Sequence, residues 1–322
     1  MSSSNLLADR RMEFARAFHA RGENDAAIEI LEQALDLAPD WIGGRFQLGE
    51  WLAAAGRRDR AVDAYRACLE MDPADRLGAV LRLALLGAVA TPPAMPPAYI
   101  AGVFDEYADR FDTALIEGLG YSVPADLSGL VRETTGAEHV FGRVLDLGCG
   151  TGLAGERFRT ACAWLEGVDL SEGMVNQARR RAIYDSLAVG GALDFLAACD
   201  ARYDLIVAAD VLVYFGDLSR VFGGAMRALV PGGRFAFSTE ADVGDAFRLT
   251  SGQRYAHSEA YLRRELQGAG LSIEAIRETS CRMEAGVPLA AYLVLARKPA
   301  AVSPENNLEG IDIAAMAASL HA

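Results

Sequence analysis

The stretch RVLDLGCGTGLAG, Arg143 to Gly155, constrains this chain more than any other: an apolar run ends on an acidic residue and then on glycines at every second position. A buried β-strand that breaks into a glycine turn and a helix is the ligand-binding corner of an open α/β sheet. The texture around it agrees. Runs at Arg143–Leu147, Ala163–Asp169, Leu187–Val189, Tyr203–Ala209, Arg234–Ser238, Leu271–Arg277 and Leu289–Ala296 alternate mostly with helical stretches. This predicts a Rossmann-like, doubly wound, seven-stranded and mainly parallel sheet, closed by an antiparallel pair of strands.

Two glycine patterns overlap in the corner and make different chemical demands. Read from Gly150, G-T-G-L-A-G satisfies the dinucleotide pattern, with Asp169 about 20 residues beyond its start. Read from Asp146, D-L-G-C-G-T-G puts a carboxylate at the strand tip. A diphosphate held by the turn would be repelled by that carboxylate, whereas a ligand carrying an ammonium and a sulfonium would be favoured. The register agrees, because Gly148 directly follows the strand and Gly150 comes two residues late. The charge argument selects S-adenosyl-L-methionine over NAD and expects Asp146 to face the ligand's amino-acid end.

The front of the chain repeats with a period of 34: Gly22 with Gly56, Ala27 with Ala61, Ile28 with Val62, Leu31 with Tyr65, Ala34 with Cys68 and Pro39 with Pro73. This resembles the tetratricopeptide repeat. The second copy carries Leu48, Gly49, Leu52, Gly56, Ala61, Tyr65 and Pro73, and the first has Ala15 where the early glycine would stand. Two units bury little surface alone, so Leu77–Ala90 is expected to add a capping helix. Such an array either presents a surface to a protein or peptide partner or serves as a packed appendage. The expected organisation is a small all-α helical domain over 1–90, a proline-rich extended spacer over 91–98 (TPPAMPPA), the sheet domain over 99–298 and a tail over 299–322.

VFDEYADRFD, VLDLGCGTG, GVDLSEGM, YDLIVAADVLVYFGDL, LVPGGRFAFS and RYAHS together resemble a class I S-adenosylmethionine-dependent methyltransferase over residues 99–298. The whole chain is similar to bacterial methyltransferases with an N-terminal tetratricopeptide segment. Several residue roles follow from that resemblance and from the chemistry of the side chains. Gly148, Cys149, Gly150 and Gly152 form the turn against which the cofactor's methionyl and ribose portions lie. Asp169 accepts the ribose hydroxyls, and Leu170 and Met174 flank the adenine. The loop after strand three lacks the usual acidic residue, so backbone around Ala192 is expected to serve, with Asp194 as the alternative. Ala209 and Asp210 close the site; Tyr107 and Phe111, spaced by four on the helix over the cofactor, read on spacing alone as a core stripe, and the resemblance makes Tyr107 a contact residue.

Methyl transfer needs alignment and exclusion of water, with a base only where the acceptor must lose a proton. Candidates for acting on the acceptor are Tyr214, Arg254, Tyr255 and His257, with His257 the histidine placed to meet substrate among four in the chain. A packing role for His257 stands beside that reading. The acceptor is expected to be a small molecule methylated on oxygen or nitrogen. The rivals are a protein methyltransferase that uses the repeats to hold a peptide, and a scaffold that binds the cofactor without turnover.

Charge and composition narrow the partners. A net charge of −13 disfavours nucleic acid, and a single lysine, Lys298, among 31 basic residues is a compositional habit rather than a phosphate-tracking surface. The five cysteines show no paired or metal-ligand spacing, which predicts reduced thiols, no metal site and a cytoplasmic location. No stretch reads as an export signal or a membrane span.

Overall fold

The computed structural model describes residues 2–113, 121–284 and 287–300. The tail over 299–322 lies almost wholly outside the described residues.

The 34-residue period becomes two helix pairs, α1 (Leu6–Ala20) with α2 (Asn24–Leu37) and α3 (Ile42–Ala54) with α4 (Arg58–Met71). Gly22 (φ +80°) and Gly56 (φ +71°) take the same left-handed turn in each pair, a conformation that disfavours a Cβ. The early glycine also has a physical reason. A Cβ on Gly49 would sit 2.7 Å from the Tyr65 ring. In the first pair the smaller Leu31 takes the place of Tyr65, and the fully buried Ala15 methyl is tolerated. The capping segment forms α5 (Ala79–Leu85), shorter than the apolar run suggested, and packs on α4.

The sheet domain begins with α6 (Pro97–Tyr107), a further turn α7 (Phe111–Thr113) and α8 (Val123–Thr135). Then come β1 (Phe141–Leu147), α9 (Leu153–Phe158), β2 (Cys162–Asp169), α10 (Glu172–Arg181), β3 (Ser186–Val189), α11 (Ala192–Ala197) and β4 (Tyr203–Ala208). After α12 (Ser219–Ala228) the chain continues through β5 (Leu229–Asp242), β6 (Phe247–Leu249), β7 (Tyr255–Ser258), α13 (Glu259–Gly268), β8 (Ser272–Glu284) and β9 (Val287–Arg297). Strands β3, β2, β1, β4 and β5 run parallel in that order, and β9 then β8 continue it antiparallel.

Alternation along the strands supplies both cores. Leu145, Ile206, Phe235 and Phe237 face the layer that packs with α11, α12 and α13, while Val144, Leu205, Val207 and Ala236 face the layer with α8 and α9. The order reverses between β1 and β4, so the loops after these strands open a crevice there.

Two strands are additional to the seven read from sequence. RYAHS, expected as a loop, forms β7, which pairs in parallel with Glu240–Asp242 of β5 and antiparallel with β6. Since β9 pairs with Glu240 on the other edge of β5, β7 lies on the β4 side, beyond the point where β4 ends. Three- and four-residue strands are too short to show a period, which is why this hairpin was not legible.

The proline-rich segment is not a free spacer. The Pro93 carbonyl accepts from the Gly216 and Asp217 N–H groups at 2.8 and 2.9 Å, and the Met95 N–H donates to the Tyr214 carbonyl at 2.9 Å. Met95 is buried with Leu81, Leu249 and Tyr255 in a core shared by α5, the proline segment and the β6–β7 hairpin. Proline forbids helix here, but its carbonyls still accept hydrogen bonds, so the segment docks like an edge strand.

Candidate active site

A cavity of about 610 Å³ opens at the switch point. One end is formed by the glycine turn and the tips of β2 and β3. The other lies between the proline segment, the α6–α7 stretch and the loop after β4.

At the first end the backbone conformation follows from sequence. Gly148, Gly150 and Gly152 all have positive φ (+71°, +54° and +101°). A Cβ on Gly148 would meet Val211 at 2.5 Å. Four N–H groups of the turn are spent internally: Gly148 and Cys149 donate to the Val168 carbonyl, Gly152 to the Cys149 carbonyl, and Gly150 to Asp169 Oδ2 at 2.9 Å. These donors are not free to cradle a diphosphate, and this counts against the dinucleotide reading more directly than the charge of Asp146 does.

Asp169 also accepts the Ser171 N–H on Oδ1 at 2.8 Å, so its carboxylate is fixed at the cavity with lone pairs to spare. Burial raises its pKa, against the pull of those backbone donors. Leu170, Met174, Ala192, Ala209 and Asp210 line the cavity as expected, and so does Cys149, whose thiol is pushed up by burial. At the β3 tip Gly190, Gly191, Ala192 and Asp194 all line the space.

Asp146 is the main correction. Its side chain does not line the cavity; it is buried behind the turn, where Tyr184 Oη donates to Oδ2 at 2.6 Å and the Gly155 N–H faces the same carboxylate. Burial raises its pKa to about 6, with the Tyr184 hydrogen bond pulling the other way. Asp146 alternates along β1 with Leu145 and Leu147 and so points into the opposite layer, where its carboxylate holds the turn from behind. A carboxylate held behind the turn still disfavours an anion in front of it.

Tyr107 is the second correction. It is exposed and outside the cavity, packed edge-on against Phe111 at 6.1 Å. The aromatic side chains that reach the cavity from this stretch are Phe104 and Phe111, spaced by seven and in contact at 5.9 Å. That spacing was the available signal, since i and i+7 share a helix face. The stretch is tied down by three aspartates: Asp105 accepts from Ser171 Oγ and the Gly173 N–H, Asp109 from Gln177, and Asp112 from Thr151 and Arg181.

The second end holds two of the four residues expected to act on the acceptor. Arg254 and Tyr214 line the cavity, with the guanidinium 5.7 Å from the Tyr214 ring centroid. Arg254 Nη1 lies 3.2 Å from Asp210 Oδ2 and 3.8 Å from the buried Glu240. Asp210 takes a left-handed conformation (φ +61°), its N–H held by Ser238 Oγ at 2.8 Å. Strain of that kind in a side chain that faces a cavity is typical of functional positions. Tyr121, not anticipated, also lines this end, and burial raises its phenol well above the usual range, so it stays protonated.

His257 and Tyr255 are not in the cavity. Both are fully buried on β7. The His257 ring is enclosed by Thr239 Oγ1 at 2.6 Å on Nδ1 and by the Phe215 and Gly216 carbonyls at 2.9 and 3.1 Å on Nε2. Burial lowers its pKa to about 4. With Nε2 facing carbonyls, Nε2 is the protonated nitrogen and Nδ1 accepts from Thr239. It packs the loop after β4 instead of meeting substrate. Tyr255 Oη donates to the Pro92 carbonyl at 2.6 Å.

Among the described residues there is no cluster of His, Cys, Asp and Glu fit to hold a metal, and no helix long and apolar enough to cross a membrane.

Comparison with known proteins adds a family to this geometry. Residues 144–233 match the family model of a methyltransferase domain, and residues 14–40 and 46–77 match that of the tetratricopeptide repeat. A malonyl-[acyl-carrier protein] O-methyltransferase of Serratia marcescens is 28% identical over 164 residues, covering 49% of this chain and 61% of that protein. A ubiquinone biosynthesis O-methyltransferase of Coxiella burnetii is 31% identical over 99 residues, 30% of this chain and 42% of that one. The chain thus spans less than two thirds of these relatives. A solved SAM-dependent methyltransferase of Leishmania major covers 61% of this chain and 82% of its own, at 17% identity and a TM-score of 0.48.

Proposed function

We propose that this chain, which joins a methyltransferase domain to tetratricopeptide repeats, transfers the methyl group of S-adenosyl-L-methionine to an oxygen of a small, largely apolar molecule. The observation that carries the reading is one continuous cavity with a glycine-turn cradle at one end and an apolar chamber that carries Asp210, Arg254 and Tyr214 at the other.

The cradle fits S-adenosylmethionine. The N–H groups of Gly148, Cys149, Gly150 and Gly152 are spent within the turn rather than offered to a phosphate, Asp169 presents a fixed carboxylate for two hydroxyls, and Met174 and Leu170 offer apolar faces for a base. When bound, the cofactor supplies an electrophilic methyl group on a sulfonium. The chain's own contribution is to orient the acceptor and exclude water. Phe104, Phe111, Phe215 and the proline wall desolvate the chamber, which strengthens the electrostatics inside it. An acceptor hydroxyl enters beside Asp210, whose carboxylate is held by Arg254 and is the group placed to take the proton. Tyr121, which burial keeps protonated, lies at the same end and donates to the acceptor oxygen, with the Tyr214 ring beside it. O-methylation also agrees with the printed names of the two relatives.

The five cysteines of the chain are free and buried, which supports a cytoplasmic setting. We place the working boundary between helical and sheet portions at the docked proline segment.

The test is incubation with tritium-labelled S-adenosylmethionine and a cell extract divided into deproteinised and protein fractions. Label in a deproteinised product that separates from the added cofactor and needs the enzyme to form supports the reading. Label confined to protein overturns it in favour of a protein acceptor presented to the repeats.

A further inference from the structure

We propose that the repeat segment is a wall of the active site, and that Val80 on its capping helix sets the length of apolar acceptor the enzyme takes; this rests on the methyltransferase reading above. Val80 is half-buried and lines the cavity opposite the glycine turn, beside the proline segment. Its position is fixed by the repeats. Asp75 caps α5 by accepting the Ala79 and Val80 N–H groups at 2.6 and 3.1 Å. Arg82 grips Glu50 of the second repeat with two nitrogens, at 2.6 and 3.2 Å, and Tyr65 Oη donates to the same carboxylate at 2.5 Å.

The proline segment is latched just as firmly on its far side. Tyr255 Oη holds the Pro92 carbonyl, and the loop after β4 holds Pro93 and Met95. Behind both elements Leu81, Met95, Leu249 and Tyr255 make one closed core. The helical portion therefore cannot leave without removing a side of the acceptor chamber. A wall of valine and proline side chains offers no hydrogen-bond donor, so it selects by shape and length.

The acceptor is unidentified, so the probe is a ladder of 4-alkylphenols from 4-methylphenol to 4-octylphenol. Each is titrated into the full-length protein saturated with S-adenosylhomocysteine. Affinity in the wild type is expected to rise by about fourfold per methylene and then level off when the chain reaches Val80. In V80W the levelling comes at least two methylenes earlier, while 4-methylphenol and S-adenosylhomocysteine bind as before. Y255F, which keeps the ring and drops the latch, weakens the longer members more than 4-methylphenol. Should V80W not fold by circular dichroism, V80M carries the same expectation. An unchanged ladder in these variants, or no binding of any alkylphenol to the wild-type complex, overturns the wall. Failure of S-adenosylhomocysteine itself to bind contradicts the methyltransferase reading and the wall with it.

Discussion

Tyr184 donates its phenol hydrogen to Asp146 across the strand layer at 2.6 Å, and this contact shows that the acidic residue of the glycine motif works from behind the turn. The carboxylate anchors Tyr184 and is faced by the Gly155 N–H. Tyr184 in turn packs against the places where Gly155 and Gly167 would carry Cβ atoms, at 2.2 and 2.9 Å. Both glycines are required by the same ring.

A pH dependence follows. Burial raises Asp146 from its ordinary 3.8 to about 6, so folding favours its protonated form. The stabilisation this provides is full below about pH 4 and is lost as pH rises through about 6, a change of about 3 kcal/mol. Urea unfolding of Asp146→Asn should therefore lack this loss and gain on wild type between about pH 4 and about pH 7. A constant difference between the two proteins across that range would refute the assignment.

The cofactor end yields a second expectation. Asp169→Ala removes the acceptor for two ribose hydroxyls and releases the Gly150 and Ser171 N–H groups. Affinity for S-adenosylhomocysteine should fall by about 2 kcal/mol or more, roughly thirtyfold. Asp169→Asn keeps one acceptor and should lose less. Calorimetry on both variants measures this directly, and equal affinities for wild type and Asp169→Ala would remove Asp169 from the site.

His257 gives an expectation of opposite sign to that of Asp146. Its folded pKa lies near 4, below its ordinary 6.5, so the neutral ring is favoured by folding. Its contribution is present above about pH 6.5 and lost as pH falls toward 4, at about 1.4 kcal/mol per pH unit. His257→Ala should be less stable than wild type at neutral pH, by a margin that narrows as pH falls toward about 4. Its affinity for S-adenosylhomocysteine should be unchanged. Thermal melts over the range check this, and full stability with abolished turnover would return His257 to chemistry.

At the acceptor end, Arg254→Ala leaves Asp210 and Glu240 facing each other without their shared cation. Turnover should fall by about a hundredfold, with cofactor affinity within about threefold of wild type. Arg254→Lys should recover only part, because a point charge cannot reach both carboxylates and stack on Tyr214. Initial rates with labelled cofactor separate these outcomes.

What the sequence revealed and what it hid divide on physical lines. Strand tips, glycine turns and the repeat were legible because Gly148, Gly150, Asp169, Gly22 and Gly56 answer to local backbone geometry. Side-chain direction was not. Asp146, Tyr107, Tyr255 and His257 all stand next to the cavity in sequence terms, yet each turns its side chain to another layer or to solvent. Which way a residue faces at the end of a strand or in a four-residue hairpin depends on register and neighbours far along the chain. The docked proline segment was missed for the same reason: its partners, Tyr214, Gly216 and Tyr255, lie more than a hundred residues away.

The central claim is that the glycine turn holds a phosphate-free sulfonium cofactor. Calorimetric titration of the full chain with S-adenosylhomocysteine and, separately, with NAD tests it most directly. The account predicts saturable one-to-one binding of S-adenosylhomocysteine, weakened in Asp169→Ala, and no heat with NAD. Saturable NAD binding beside silence from S-adenosylhomocysteine would contradict it.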